Sequence, residues 1–352
     1  MTGSDESTRP LEAETALHQC LEGVPFLGIE KATFHKADDL NPVLEIQLLL
    51  PGTAQRVSAV VLRNGQPRVV RQAADQIIRL RASAGDVYNV IVAPYITPRA
   101  AQICIDEEIG FVDFSGNCRL CFQQVFVERS GRSNPSIKRR DLRSLYSPKA
   151  SRILRVLLLE PRRAWRVQSL AQQAGVSLGL VSNVKKLLVD REWIETTPDG
   201  VRLAQPGPLL EEWAQRYSVR QNHTRDCYSL RNIAEIEASL AELCRRRGYS
   251  CALTGHSGAA RLVSAVRYQR VMVYVGGEPR SLYSPLQLKE VASGANVSLL
   301  LPYDDGVFHG SQTFEDVPVV SPVQLYLDLR SLRGRGEEAA QRLLEEIITP
   351  SW

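Results

Sequence analysis

The sequence contains no run of about 18 apolar residues, the length a helix needs to cross a bilayer, so no membrane-spanning segment is expected. Its opening, MTGSDESTRP, is polar and acidic with no apolar core, so no secretory signal is expected and the cytoplasm is the expected compartment. The seven cysteines (20, 104, 118, 121, 227, 244 and 251) are odd in number and scattered, which argues against a disulfide framework and for a reducing environment. Internal repeats and low-complexity tracts are absent. The Cys118–Cys121 pair has CxxC spacing but no second pair. It also falls on or beside a strand, where residues three apart point to opposite faces, so no zinc site is expected. Thr254-Gly255-His256-Ser257-Gly258 lacks the Gly-Lys-Ser/Thr ending of a P-loop and reads as a structural turn. Asp304-Asp305 precede Gly306 in a loop whose alternation separates their carboxylates. His256 and Ser257 have no acidic third member at readable spacing, and His223 and His309 are isolated. No cofactor and no metal are expected.

What is present is an ordinary globular composition, 352 residues with 44% hydrophobic and 23% charged, enough for two or three domains. Net charge is only +4, but it is unevenly spread. From Arg132 to Gln205 fifteen Lys/Arg face six Asp/Glu, a local charge of +9 that leaves −5 for the rest. A basic middle between mildly acidic flanks is the footprint of a nucleic-acid module inside a larger protein; a solvated basic face with a linker is the plainer alternative.

The expected fold class is α/β, mixed α+β, in three domains. Residues 1–10 read as a disordered tail. Residues 11–131 read as a small α/β domain: a helix Glu12–Leu21 with Leu11, Ala16, Leu17 and Cys20 as its apolar side, strands Leu27–Phe34, Val43–Leu50 and Val57–Leu62, a helix Arg68–Arg81, a buried strand Tyr88–Ala93, a helix opened by Thr97-Pro98, and strand structure over Phe111–Phe114 and Leu120–Glu128. Residues 132–145 are a basic, Pro-interrupted linker. Residues 146–220 form the middle domain. Residues 221–352 return to α/β, with a helix Ile233–Arg247, strands near Cys251, at Val271–Val275 and at Val297–Leu301, and a terminal helix Gly336–Ile348.

The middle domain is the informative one. Ser147-Pro148 opens a helix whose Ala150, Ile153, Leu154, Leu157 and Leu158 form one apolar face. A short second helix, Val167–Ala174, ends at Gly175-Val176-Ser177, where glycine supplies the positive φ of a sharp corner. The third helix, Leu178–Asp190, turns Val181, Val184 and Leu188 inward. Ser182, Asn183 and Lys186 share its outer face with the first-turn residues Ser177 and Gly179. Trp193–Glu195 and Val201–Leu203 then flank Pro198-Asp199-Gly200, an Asp-Gly hairpin signal. Helix, helix, Gly-containing turn, helix and hairpin is the order of a winged helix-turn-helix. The third helix is expected to enter the major groove of double-stranded DNA. Arg166, Lys185, Lys186, Arg191 and Arg202 would meet phosphates, and Ser182 and Asn183 base edges. Winged helices also serve as protein-contact modules, which is the competing reading. Trp165, Trp193 and Trp213 read as core plugs.

The stretch SLYSPKASRILRVLLLEPRRAWRVQSLAQQAGVSLGLVSNVKKLL resembles the winged helix of bacterial AbiEi-family antitoxin-like regulators of type IV toxin–antitoxin systems. Leu253-Thr254-Gly255 with Ala259-Ala260, then Val273-Tyr274-Val275, Ser321–Leu329 and Arg335–Ala340 extend the likeness over most of the chain through loose patterns. The resemblance implies a DNA-binding transcriptional regulator, a repressor or autoregulatory antitoxin, and a cognate toxin partner that in this family is nucleotidyltransferase-like. The N-terminal domain resembles a restriction-endonuclease-type core, in which a Glu-x-Lys precedes a Gly-Gln-Pro-Arg turn. Gly65-Gln66-Pro67-Arg68 is present, but the two positions are Val60 and Leu62, which can neither hold a metal nor assist an attacking water. Glu45 and Asp38-Asp39 remain as acids. An inactive nuclease-like domain is therefore expected, and no enzyme. The alternatives are a nuclease guided by the winged helix, and an antitoxin acting mainly by contact with its toxin. Operators for such modules are commonly two-fold, which makes a homodimer reasonable.

Overall fold

The computed structural model describes residues 9–35, 41–81, 86–132, 145–263, 267–332 and 334–352. The tail up to residue 8, Asp38-Asp39, most of the linker and Arg333 lie outside them. The chain divides into two compact units, Met1–Asp141 with Val189–Glu192, and Leu142–Leu188 with Trp193–Trp352.

In the first unit α1 (Arg9–Leu21) precedes β1 (Gly28–His35), β2 (Val43–Leu50) and β3 (Thr53–Val61). These are followed by α2 (Pro67–Arg81), β4 (Val87–Ala93), α3 (Pro98–Asp106), β5 (Gly110–Asp113), β6 (Cys118–Phe122) and β7 (Val125–Arg129). The strands form one seven-stranded sheet in sequence order. β1, β2 and β3 are an antiparallel meander, β3, β4 and β5 run parallel through the crossover helices, and β6 and β7 close antiparallel. Strand alternation divides the core. Leu44, Ile46, Leu48, Val57, Ala59 and Val61 point to the face that also buries Ala13, Leu17 and Cys20 of α1. Ile91, Ala93 and Phe111 point to the other, under Val70, Ala73, Ala74 and Ile77 of α2. Leu11, read as part of the apolar side of α1, is exposed, because the buried stripe is Ala13, Ala16, Leu17 and Cys20. The stretch Leu120–Glu128 is a hairpin, with Gln123 at positive φ in a two-residue turn.

Leu62 is buried and Val60 half-buried in the apolar layer beneath α2. Each is a packing residue there, and burying such a side chain contributes about 1.5–3 kcal/mol. Glu45 stands opposite Ser58 in the register and is exposed, 3.6 Å from His35. Cys118 is buried and Cys121 exposed, on opposite faces of β6.

The second unit begins with α4 (Pro148–Leu159), α5 (Val167–Ala174), α6 (Leu178–Asp190, its last two residues counted with the first unit), β8 (Ile194–Thr197), β9 (Gly200–Leu203) and α7 (Pro206–Arg216). It continues with β10 (His223–Tyr228), α8 (Ile233–Arg247), β11 (Ser250–Thr254), α9 (Gly255–Leu262), β12 (Val271–Gly276), β13 (Lys289–Glu290), β14 (Val297–Leu301), β15 (Gln312–Phe314), β16 (Val317–Val319), α10 (Pro322–Arg330) and α11 (Arg335–Leu343). Its large sheet is mixed, in the order β13-β10-β14-β12-β11-β16-β15. α8 matches its expected bounds: the Asn232 side chain accepts from the Glu235 amide, Gly248 ends it in the left-handed region, and Ile236, Leu240 and Cys244 face the core. The terminal helix breaks from α11 into a π turn at Leu344–Ile348.

Candidate nucleic-acid interface

The helices α4, α5 and α6 are set by the residues read from spacing. Ala150, Ile153, Leu154, Leu157 and Leu158 of α4 are buried, and so are Val181, Val184 and Leu188 of α6. Gly175 ends α5 at φ 62°, the left-handed corner that turns the chain into α6. The Ser177 hydroxyl then accepts from the Leu180 amide at 3.3 Å, a first-turn cap. β8 and β9 pair with Glu195 opposite Arg202. A third, one-residue strand joins them: Trp165, between α4 and α5, exchanges both backbone hydrogen bonds with Val201, at 2.8 and 2.9 Å. This approach is why position 200 is glycine. It has φ 142°, and a Cβ there would lie 2.3 Å from the Trp165 carbonyl oxygen.

Ser177, Gly179, Ser182, Asn183 and Lys186 are exposed along one side of α6, with Lys185 half-buried beside them. Arg166, the residue before α5, is exposed. Arg166, Lys185 and Lys186 make no ion pair among the described residues. Arg202 is exposed too, but it pairs across the hairpin with Glu195, both side chains nearly half open to solvent. Such an exposed pair is weak, about 0–1 kcal/mol, and a phosphate can compete for the guanidinium. Arg191 is half-buried and engaged within the fold.

The basic count of the middle segment overstates the charge available to a partner. Arg152 forms a two-pronged pair with Asp304, at 2.7 and 2.9 Å. Asp304 also accepts from the Gly306 amide, so this loop acid is structural. Arg163 stacks on Trp165 at 3.8 Å and bonds Glu160. Arg155 is fully buried. Its guanidinium donates to Ser151 Oγ at 2.8 Å, to Tyr303 OH at 3.2 Å and to Gln324 Oε1, and lies 5.0 Å from the Trp213 ring centre.

Gln324 passes this contact on. Its Nε2 donates to Asp328 Oδ1 at 3.0 Å and to Tyr217 OH at 2.9 Å. Tyr217 and Tyr274 donate to the same carboxylate oxygen at 2.7 and 3.0 Å, and the Thr254 hydroxyl donates to Oδ2. Thr254, Tyr274, Gln324 and Asp328 come from the patterns that carried the family resemblance, and the fold gathers them around one buried acid. Gln324 lies one helical turn from Asp328, but spacing gave no hint of the rest, because Tyr274, Thr254 and Tyr217 lie 54, 74 and 111 residues from it. The same packing fills the Thr254–Gly258 turn, which opens α9. A Cβ on Gly255 would lie 2.6 Å from the Met272 sulfur, and the Ser257 hydroxyl bonds the Met272 backbone, so no phosphate-sized cradle exists there.

Burial raises the Asp328 carboxyl from 3.8 to about 6, against the four donors, which lower it. The folded state therefore holds this proton more tightly than the unfolded chain does. Its contribution to stability is greatest below about pH 4 and is lost as pH rises through about 6. The stability difference between wild type and Asp328→Asn, measured by denaturant unfolding, is expected to move against the wild type as pH rises from about 4 to 6. A difference flat across that window would mean that Asp328 keeps one protonation state throughout.

Comparison with known proteins adds a family match over part of the chain. The sequence model described as "Transcriptional regulator, AbiEi antitoxin, Type IV TA system" matches residues 202–349. The match runs from the second hairpin strand to the end of the terminal helix; the three helices before it lie outside, so it is narrower than the likeness drawn from sequence. No curated protein matches. A solved structure titled "Structure of EndoMS in apo form" is 23% identical over 29% of this chain and 45% of that one, with a TM-score of 0.22. The chain thus spans less than half of that protein, and the likeness is too slight to bear on fold or activity. Among the described residues no helix is long and apolar enough to cross a membrane. Residues 202–349 are similar to the AbiEi antitoxins, transcriptional regulators of type IV toxin–antitoxin systems, as the sequence patterns led one to expect.

Proposed function

We propose that the chain is a sequence-specific, double-stranded DNA-binding regulator, a cytoplasmic repressor of its own operon, in which α4, α5, α6 and the β8–β9 hairpin work as a winged helix. The observation that carries this reading is the outer side of α6: Ser177, Gly179, Ser182, Asn183 and Lys186 are exposed together, and no acid lies between Ser177 and Val189. Lys185, Lys186 and Arg166 supply cations for phosphates, with Arg202 and Arg191 at the flanks, and Ser182 and Asn183 supply groups for base edges. The family of residues 202–349 supports a regulator in a toxin–antitoxin system, with a toxin as protein partner. A homodimer on a two-fold operator belongs to the same reading. Phosphodiester cleavage is not part of it: at the two positions that the resemblance to a nuclease core would fill with a glutamate and a lysine stand Val60 and Leu62, packed into an apolar layer.

The test is the salt dependence of binding. Lys186→Ala is expected to weaken binding to every duplex sequence and to flatten the log–log salt slope by about one unit, the signature of one lost phosphate contact. An unchanged slope would remove Lys186 from the interface.

A further inference from the structure

We infer that Leu178 reads the C5-methyl group of a thymine, so that the interface selects thymine itself. This rests on the duplex-binding reading above. Leu178 is the first residue of α6 and is 54% exposed, the one large apolar side chain so exposed among the described residues of 145–220. The inward-spaced apolar residues of α6, Val181, Val184 and Leu188, are buried in the core of their own unit. Among the described residues nothing buries Leu178 in that way.

Its position supplies a role. Leu178, Ser182 and Lys186 are four residues apart and lie along one line of the helix surface, with Gly179 and Asn183 on the adjacent line. Leu178 thus shares the polar outer face and stands at the N-terminal end of the helix, the end that meets base edges in helix-turn-helix readers. A second observation concerns its neighbour. A Cβ on Gly179 would meet nothing within 4 Å, so among the described residues no packing requires glycine there. Glycine in a helix is less favourable than alanine by up to about 1 kcal/mol. What it provides is room for an outside surface to approach beside Leu178.

The chemistry of that surface follows. The face has cations and no acid between Ser177 and Val189, which suits a polyanion. Of the base edges in the major groove, only thymine offers an apolar group, its methyl. Asn183, whose amide matches the N6 and N7 edge of adenine, lies on the adjacent line, so a half-site containing A·T pairs satisfies both side chains. A protein partner with an apolar patch would call for several exposed apolar residues here, and the outer face of α6 presents one.

The test uses the full chain and a duplex selected from a random-sequence pool, prepared once with thymine and once with uracil, which keeps every hydrogen-bonding group and lacks only the methyl. Wild type is expected to bind the thymine duplex about fourfold more tightly, the equivalent of burying one methyl-sized group. Leu178→Ala is expected to bind both duplexes equally, at the wild-type level on uracil, with an unchanged melting midpoint because the side chain is exposed. Equal wild-type binding to the two duplexes, or a thymine preference that survives in Leu178→Ala, would overturn the assignment while leaving duplex binding intact. If the pool yields no selected duplex, both the assignment and the proposed function fail.

Discussion

Arg155→Ala is expected to lower the stability of the second unit by about 2–5 kcal/mol, the range for opening a cavity in a core and leaving buried acceptors unpaired. The side chain is fully buried, donates to Ser151, Tyr303 and Gln324, and lies over Trp213. Its removal leaves an acceptor on Gln324 without its cation and opens a void among groups that cannot collapse without breaking the bonds to Asp328. Arg155→Lys is not expected to rescue it, because an ammonium cannot reproduce the planar fork. Arg152→Ala is the useful contrast: its pair with Asp304 is partly solvated, so the loss there is expected to be smaller. Denaturant unfolding of the three variants measures this. A loss at Arg155 no greater than at Arg152 would mean that the buried network is not what holds α4 against α10.

Asn183→Ala is expected to change which sequences are bound. An amide that pairs with one base contributes about 1–3 kcal/mol of discrimination, so the variant should lose that preference, about five- to 150-fold, at one position of the site. Affinity for unrelated duplex should hardly move, since phosphate contacts from Lys185, Lys186 and Arg166 remain. Repeating the pool selection with the variant reads this directly. An equal loss on every sequence would make Asn183 a backbone contact. The two substitutions probe different links, one the scaffold that orients the helices and the other the face they present.

How much of this was legible depended on whether the signal was local. The inward spacing of α4 and α6 and the glycine corner at 175 are written within a few residues, and each is found at its expected place; the hairpin is there too, but its turn is Pro198-Asp199, and Gly200, read as part of an Asp-Gly turn, opens β9. The third strand was not legible, because one residue, Trp165, forms it and a single bridge has no period. Nor was the role of Arg152 and Arg155. On the sequence they add to a basic run, whereas their partners Asp304 and Gln324 lie 152 and 169 residues further on. α10 was legible only as a pattern quoted for the family likeness. Val323, Leu325, Tyr326, Leu327 and Leu329 are all buried, and a helix apolar on nearly every side shows no stripe. Of the candidate site, the exposed side of α6 was legible in its spacing, whereas Arg191, read as a phosphate contact, is half-buried and engaged within the fold. The site's one unread member, Leu178, had counted only as the helix's starting point, and its exposure is a property of the fold.

The central claim is that α6 and its flanking hairpin read duplex DNA. The most direct measurement is binding of the full chain to a pool-selected duplex and to a scrambled duplex of the same composition, each at two salt concentrations. Tighter binding to the selected duplex, with affinity for both falling as salt rises, is the expected result. Weak and equal binding to the two duplexes would contradict the claim and leave the three helices and hairpin as a surface for protein.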